Sequence, residues 1–76
     1  MRFFAQAREA AGTREAEIEG ATLADVLEAA AARYGPELRK VIGISSIWVN
    51  GKEAAPDQAL APTDEVAVLP PVSGGT

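Results

Sequence analysis

The sequence predicts an α+β fold in which one main helix lies across a mixed sheet. In residues 22–34, apolar side chains recur at the spacing of a helix that buries one face. Strand-like segments lie on both sides of this helix in the chain, at residues 2–6, 14–19, 47–49 and 65–69. Because an apolar helix stripe needs a sheet face to cover, the two kinds of element predict a two-layered arrangement.

The composition limits the chemistry that the side chains can perform. The 76 residues include seven basic and eleven acidic side chains, with a net charge of −4 and no basic stripe, so we expect no nucleic-acid partner. The absence of Cys and His excludes disulfides, thiolate nucleophiles and the commonest general base, and we expect neither a metal nor a bound cofactor. No segment approaches the roughly 18 apolar residues of a membrane span, so we expect a soluble cytoplasmic protein.

The main helix has clear start and end signals. Thr22 is predicted as its N-cap, and Asp25 stands three residues later, as in a capping box. Gly35 ends the helix, and Pro36 prevents its continuation but suits position N1 of a short second helix over residues 37–42. The side chains predicted to be buried are Leu23, Val26, Leu27, Ala30 and Tyr34 in the main helix and Leu38, Val41 and Ile42 in the short one.

The strands are assigned from β-rich composition, alternation and turn signals. Residues 7–13 are too polar to extend the first strand and are predicted as a single helical turn. Residues 14–19 alternate charged and apolar side chains, which is typical of a half-exposed strand. Asn50 and Gly51 form the strongest short hairpin signal, and they are followed by a short return strand over residues 52–55.

The resulting order is β-β-α-β-β, with a short helix after the main one. Placing the first and last strands side by side and parallel puts the most apolar strands at the centre of the sheet. This arrangement is the β-grasp, or ubiquitin-like, roll. We therefore predict a β-grasp domain over residues 1–69, followed by an extended C-terminal tail over residues 70–76.

The composition of this tail is compatible with chemistry at the chain terminus. Pro70 and Pro71 have a fixed φ and no N–H, so they end the sheet ladder and keep the chain extended. Gly74 and Gly75 have no side chain and pass through narrow openings. Such a terminus suits insertion into the active site of another protein. The alternative is an inert, frayed tail, which is common at chain ends.

Four segments of the chain match one known family. They are residues 3–13, which begin Phe3-Phe4-Ala5, the tripeptides Val49-Asn50-Gly51 and Asp64-Glu65-Val66, and the terminal run Pro70-Pro71-Val72-Ser73-Gly74-Gly75. Through these segments the chain resembles the small subunit of molybdopterin synthase, a ubiquitin-like sulfur carrier, along nearly its whole length. A terminal double glycine alone is also found in ubiquitin-like modifiers. The proline pair combined with the Phe-Phe-Ala opening is much more specific.

The resemblance implies a function for the tail. An E1-like activating enzyme that uses ATP is expected to adenylate the Gly75 carboxylate, and a sulfur-donating enzyme then converts it to a thiocarboxylate. Gly74 and Gly75 are expected to enter the active site of the large synthase subunit, in a heterotetramer. There Gly75 gives its sulfur to cyclic pyranopterin monophosphate, in molybdenum cofactor biosynthesis. The chain is then not catalytic alone but is the sulfur-donating subunit of a sulfurtransferase.

The same resemblance assigns partner contacts near the tail. The residues expected to bind partners are Phe4, Arg8, Leu69, Pro70, Pro71, Val72 and Ser73. Phe4, Leu69 and Val72 are expected to form an apolar patch beside the tail, although Phe4 and Leu69 are equally compatible with the core of so small a domain. Arg8 is expected either to pair with the large subunit or to be a solvated arginine. Trp48 is predicted to be a packing residue.

Two features depart from the family pattern. The active form in the family ends at the second glycine, whereas Thr76 follows Gly75 here and occupies its carboxyl group. We expect a protease to remove Thr76; otherwise this form is inactive. The turn before Asp64 is Ala61-Pro62-Thr63, where relatives often have glycine, and a proline-led turn accommodates this change.

Other functions are compatible with the same residues. One is a sulfur carrier for another pathway, such as thiamine or cysteine synthesis, against which the proline pair argues. Another is a ubiquitin-like protein modifier, joined through Gly75 to lysine amines of its targets. The last is a β-grasp binding module with an inert tail.

Overall fold

The computed structural model describes residues 1–71, in which three helices cover one face of a four-stranded sheet. In chain order the elements are β1 (Arg2–Phe3), α1 (Ala5–Ala11), α2 (Leu23–Tyr34), α3 (Pro36–Ile44), β2 (Ser46–Val49), β3 (Lys52–Glu53) and β4 (Val66–Leu69). The order across the sheet is β1-β4-β2-β3, with β4 parallel to β1 and antiparallel to β2. The predicted β-grasp roll, with its first and last strands adjacent and parallel, is confirmed. In residues 1–71, no helix has the length and apolar character needed to span a bilayer.

The alternation of side chains along β4 gives the sheet an inner and an outer face. Val66 and Val68 point inward and are buried, whereas Ala67 and Leu69 lie on the other face and are half-buried. On the inner face, Phe3 of β1 pairs with Val68. Most of the buried core side chains form two clusters, one of Phe3, Ala7, Ala30, Leu38, Val41 and Val68 and one of Leu23, Val49 and Val66. Because both clusters include residues of β4, this strand organises the whole core.

The helix α2 begins and ends as its sequence predicts. The Thr22 Oγ1 atom accepts a hydrogen bond from the Asp25 N–H, and the Asp25 carboxylate accepts one from the Thr22 N–H, both at 3.3 Å. At the other end, the Gly35 N–H donates to the Ala31 carbonyl at 2.8 Å. In the predicted stripe, Leu23, Val26 and Ala30 are buried and Leu27 and Tyr34 are half-buried.

The helix α3 is longer than the predicted residues 37–42 and is fixed to α2. It buries Leu38 and Val41, as expected, and leaves Ile42 half-buried. The Arg39 guanidinium donates two hydrogen bonds to the Glu28 carboxylate of α2, at 2.7 and 2.8 Å. These hydrogen bonds, together with the charge of Arg39, lower the pKa of Glu28. Both side chains are more than half exposed, so the pair contributes little to stability.

Residues 2–6 do not form one strand, and residues 7–13 are not a single turn. β1 ends at Phe3, and the seven-residue helix α1 follows from Ala5. Ala5 has a φ of 49°, in the left-handed region, which costs an L-residue about 1–2 kcal/mol. This single residue turns the chain from the strand into α1, and β1 is short for that reason.

The predicted strand over residues 14–19 is wrong. Only one bridge, between Arg2 and Glu15, joins this segment to β1. Two backbone hydrogen bonds flank this bridge. The Phe3 N–H donates to the Arg14 carbonyl at 2.8 Å, and the Ala16 N–H donates to the Met1 carbonyl at 3.0 Å. The alternation of exposed and half-buried side chains is as expected, but the short β1 offers too few partners for a ladder.

The predicted hairpin after β2 is confirmed, although its return strand covers Lys52–Glu53 rather than residues 52–55. Asn50 and Gly51 have φ values of 52° and 83°, as a two-residue hairpin turn requires. The pairs on either side of the turn are Val49 with Lys52 and Trp48 with Glu53.

Asn50 also connects the hairpin to the turn before β4. Its amide nitrogen donates to Asp64 Oδ1 at 2.9 Å, and its amide oxygen accepts from the Glu65 N–H at 2.9 Å. The Ala61 N–H donates to Asp64 Oδ2 at 2.9 Å. The Asp64 N–H donates to the Ala61 carbonyl at 3.0 Å, and this hydrogen bond closes the proline-led turn. The hydrogen bonds from Ala61 and then from Asn50 lower the pKa of Asp64. Asn50 therefore holds the hairpin turn and the turn before β4 together.

We predict that Gly20→Ala destabilises the protein and that Gly43→Ala does not. A Cβ atom at Gly20 would lie 2.8 Å from the Val26 nitrogen and 2.9 Å from Asp25 Cβ, so the chain must shift at the first turn of α2. We expect the free energy of unfolding to fall by about 1–3 kcal/mol. Gly43 lies inside α3 with open space around it, and alanine there should add about 0.5–1 kcal/mol. Urea unfolding of both variants measures the difference, and equal effects would contradict the close approach at residue 20.

We predict that Asp64→Asn lowers the melting temperature at neutral pH and that its effect fades in acid. A folded-state pKa below the unfolded value means that the ionised carboxylate stabilises the fold above the unfolded pKa. This contribution is lost as the pH falls below about 4, through the folded pKa. Thermal unfolding of both proteins between about pH 7 and pH 3 measures the gap. The control is Asp57→Asn, at an exposed position, for which we expect a small gap at every pH. A gap for Asp64→Asn that persists at low pH would contradict the assignment.

Candidate functional site

The end of β4 is the root of the predicted tail. Leu69 is the last residue of the strand, and it is followed by a half-buried Pro70 and an exposed Pro71. Since β1 is parallel to β4, the end of β1 lies on one side of this root. Since β2 is antiparallel to β4, its first residue, Ser46, lies on the other side, opposite Leu69. The chain therefore leaves the sheet from an interior strand that has neighbours on both sides.

The outer face of the sheet presents two rows of side chains next to this root. One row crosses all four strands through the pairs Arg2–Ala67, Ala67–Trp48 and Trp48–Glu53. In the next row, Leu69 pairs with Ser46. Phe4 lies on the other side of Leu69, because the extended backbone of Phe4 continues β1 and the Phe4 N–H donates to the Val68 carbonyl at 3.3 Å. The apolar members of these rows, Phe4, Trp48, Ala67 and Leu69, form what we call the outer-face patch.

The exposed large hydrophobic side chains are concentrated near the tail root. Among residues 1–71, they are Phe4 (42% exposed), Ile44 (62%) and Trp48 (37%). Phe4 and Trp48 belong to the outer-face patch, and Ile44 lies two residues before Ser46. Single exposed hydrophobic residues are ordinary in soluble proteins, but a contiguous group marks an interaction surface.

The charged side chains stand at the ends of the outer row rather than within the patch. At the β1 edge, Arg2 lies 3.7 Å from the Glu65 carboxylate, which also lies 3.6 Å from the Met1 amine. At the β3 edge, Glu53 is exposed. An apolar centre with a charged rim is the usual anatomy of a protein–protein interface.

The structure brings part of the predicted site together. Phe4 is exposed and Leu69 lies on the outer face, so neither belongs to the core between sheet and helices. Arg8 is exposed on α1 and forms no ion pair within residues 1–71. Pro70 and Pro71 are at the tail root. The predictions for Val72, Ser73, Gly74 and Gly75 lie outside the described residues.

Trp48, predicted to be a packing residue, lies on the outer face of the sheet rather than in the core between sheet and helices. Trp48 pairs with Ala67 and is 37% exposed, whereas its neighbour Val49 is buried. The alternation in residues 46–49 held the necessary signal. If Val49 points into the core beside the hairpin turn, Trp48 must point outward.

A separate cleft lies at the opposite end of β4 from the tail root. Its volume is about 720 Å³, and it lies between residues 17–21 and 60–64, with Glu17 and Glu19 among its lining side chains. It includes none of the predicted site residues, and within residues 1–71 no acidic group forms a metal-binding cluster. We therefore assign the candidate site to the tail root and the outer-face patch.

Comparison with known proteins gives the same fold and identifies a family. The model of the ThiS family matches residues 1–75. Small archaeal modifier protein 1 from Methanosarcina acetivorans is 35% identical, with a TM-score of 0.87, and the match covers 97% of this chain and 92% of that one. The Haloferax volcanii protein of the same name is 36% identical, with a TM-score of 0.81, and the match covers 97% of this chain and 94% of that one. A further crystal structure of the Haloferax volcanii protein gives 34% identity, a TM-score of 0.77 and 93% coverage of both chains. The chain therefore belongs to the ThiS family of ubiquitin-like sulfur carriers, which work with E1-like partner enzymes.

Proposed function

We propose that this protein is the sulfur-carrier small subunit of a molybdopterin synthase and acts in the cytoplasm, where ATP is available for its activation. The observation that carries the proposal is the tail root, where β4 passes directly into Pro70 and Pro71 beside an apolar outer face. A carrier needs a terminus that reaches another protein's active site and a surface that docks that protein. The residues before the terminus meet both needs.

The chemistry proposed for the tail requires only its terminal acyl group. A carboxylate is a poor electrophile, so the E1-like enzyme first joins the Gly75 carboxylate to AMP and releases pyrophosphate from ATP. Hydrosulfide supplied by the sulfur-donating enzyme then attacks the acyl carbon, and the bond to AMP breaks, which leaves a thiocarboxylate and free AMP. A glycine acyl carbon has no side chain to hinder either attack. The carrier contains no Cys or His, so acid–base groups would come from its partners.

The length of the tail sets how far this group can reach. Six residues, from Pro70 to Gly75, span at most roughly 20 Å when fully extended. Proline at the first two positions removes backbone freedom that would otherwise be lost on entry. In the large subunit, the thiocarboxylate gives its sulfur to cyclic pyranopterin monophosphate, and two rounds of transfer supply the two sulfur atoms of the dithiolene.

Removal of Thr76 belongs to this proposal. While a peptide bond joins Gly75 to Thr76, the Gly75 carbonyl is an amide and has no carboxylate oxygen to adenylate. A protease of the host cell would expose the Gly75 carboxylate and so make the chain competent for activation.

A second candidate function is a ubiquitin-like protein modifier, and the similarity to small archaeal modifier proteins favours it. The two functions share the adenylated glycine and differ in the nucleophile that displaces AMP. Attack by a lysine amine of a target gives an isopeptide bond, whereas attack by sulfur gives the thiocarboxylate. A sulfur carrier for thiamine or cysteine synthesis differs only in the acceptor.

We predict that the protein purified from its own cells ends at Gly75 and has one carboxyl oxygen replaced by sulfur. Intact-mass spectrometry measures both features at once. Isopeptide-linked ladders on a blot, without a thiocarboxylate, would support the modifier instead.

A matched pair of truncations tests the terminus in cells. Deletion of Thr76 alone should preserve molybdopterin synthesis, and deletion of residues 74–76 should abolish it. Synthesis that survives the longer deletion would contradict the carrier function.

We predict that Trp48→Ala weakens binding to the large synthase subunit about tenfold or more. Buried aromatic side chains contribute much of the energy of protein interfaces, and Trp48 is 37% exposed in the isolated chain. Isothermal titration calorimetry of the two purified subunits measures the affinity. The control is Gln58→Ala, which truncates an exposed neutral side chain of the loop that contacts the start of α2. Equal affinities for wild type and Trp48→Ala would remove the outer-face patch from this interface.

A further inference from the structure

The outer row of side chains that crosses the sheet has two complementary halves. From β1 to β3 the row consists of Arg2, Ala67, Trp48 and Glu53. It has a basic side chain at one end and an acidic side chain at the other, and a small side chain lies beside a large one at its centre. Because neighbouring strands lie about 4.8 Å apart, roughly 14 Å separates the two charged ends. Each half of the row therefore complements the other half in charge and in size.

This pattern allows the row to face its own copy. Two copies can pack outer face to outer face about a twofold axis that runs along the strands, between β4 and β2. Arg2 then lies opposite Glu53 of the second copy, and the reciprocal pair forms on the other side of the axis. Trp48 lies opposite Ala67 of the second copy, where the small methyl group leaves room for the indole ring. An axis across the strands would place Arg2 opposite Arg2 of the second copy, so the charges favour the first axis.

The neighbouring row fits the same axis. Leu69 of β4 pairs with Ser46 of β2, so an axis between these strands places Leu69 opposite Ser46 of the second copy. A large apolar side chain again faces a small one. Two successive rows next to the tail root are therefore self-complementary, and this selects a second copy of the chain as the occupant of the face.

The groups needed for this contact are accessible in the single chain. The helices cover the other face of the sheet, and Trp48 is 37% exposed. Arg2 and Glu53 are both exposed. Arg2 approaches Glu65 through Nε, at 3.7 Å, and its terminal nitrogens form no ion pair within residues 1–71. These terminal nitrogens can therefore donate to a carboxylate of a second copy.

We propose that two copies of this protein form a homodimer through their outer faces, with Arg2 paired to Glu53 at both ends of the row and Trp48 packed on Ala67. The proposal does not depend on the carrier function. Because a face only four strands wide is at the low end of specific interfaces, we expect a dissociation constant on the order of 100 µM. The dimer covers the outer-face patch, so any partner that docks there competes with the second copy.

The first test is sedimentation equilibrium of the full chain between about 10 µM and 1 mM, a range that brackets the expected constant. The average mass should rise towards that of a dimer. Trp48 is the only tryptophan of the chain, so its fluorescence reports on the interface directly. Its emission should shift to shorter wavelength over the same concentrations, because the dimer removes the indole from water. A chain that stays monomeric throughout this range, or a dimer that leaves the Trp48 emission unchanged, overturns the proposal.

Two charge reversals test the pairing itself. Arg2→Glu and Glu53→Arg each place like charges opposite one another at both ends of the row. We expect each variant alone to dimerise with a dissociation constant raised about tenfold or more. The two variants have complementary ends when they are mixed, so the dissociation constant of the heterodimer should return to within about threefold of the wild-type value.

A second pair of reversals controls for net charge. Lys40→Glu and Glu9→Arg make the same charge changes at exposed positions of α3 and α1, in the helix layer on the other side of the sheet. Both should dimerise like the wild type, alone and mixed. Equal effects in the control pair, or a mixture of Arg2→Glu and Glu53→Arg that does not recover dimerisation, overturns the proposed pairing.

Thermal unfolding of each variant separates dimerisation from folding. Arg2→Glu also removes the contact with Glu65, whereas Glu53 forms no ion pair within residues 1–71. Glu53→Arg is therefore expected to melt at nearly the wild-type temperature. If Arg2→Glu fails to fold, Glu53→Arg alone decides the question, since a dissociation constant equal to that of the wild type overturns the proposal.

Discussion

The position of β4 between β1 and β2 is the constraint on which the rest of this structure depends. An interior strand forms hydrogen bonds on both edges, and its side chains alternate strictly between the two faces. Val68 belongs to one core cluster and Val66 to the other, while Ala67 and Leu69 lie on the outer face. The same alternation that fills the core therefore also builds the interaction surface. A one-residue slip of β4 would exchange the two sets and destroy both.

The two ends of β4 have different tasks. At its start, the hydrogen bonds that Asn50 forms with the Asp64 carboxylate and with the Glu65 N–H hold the hairpin and the preceding turn in register. At its end, the proline pair releases the chain beside Phe4. Register is set at one end, and the predicted tail leaves from the other. In the proposed function, this division lets the tail enter a partner without disturbing the contacts that define the strand.

Local sequence signals were sufficient to predict the features that depend only on neighbouring residues in the chain. The Thr22 cap and the Asn50 turn depend on a few neighbouring residues, and both formed as predicted. The strand over residues 14–19 failed because a ladder needs a partner of equal length, and Ala5 ends that partner early. Composition does not reveal on which face of the strand Trp48 lies, whereas the burial of its neighbour Val49 does. For the candidate site, residue types and chain order predicted the location beside the tail. Phe4 and Leu69 were expected on that surface from the sequence, and the three-dimensional register adds Trp48 and Ala67 to it.

The exit of the tail from an interior strand also determines how the protein responds to mechanical load. A force on the tail acts along the axis of β4, so the hydrogen bonds to β1 and β2 are loaded in shear and must fail together. A force directed across the strand would instead break these bonds one at a time. In the proposed function, a partner enzyme that takes up the tail can therefore draw it in and release it while the fold stays closed. For a carrier that is loaded and emptied repeatedly, shear resistance at the tail root favours repeated use of the same molecule.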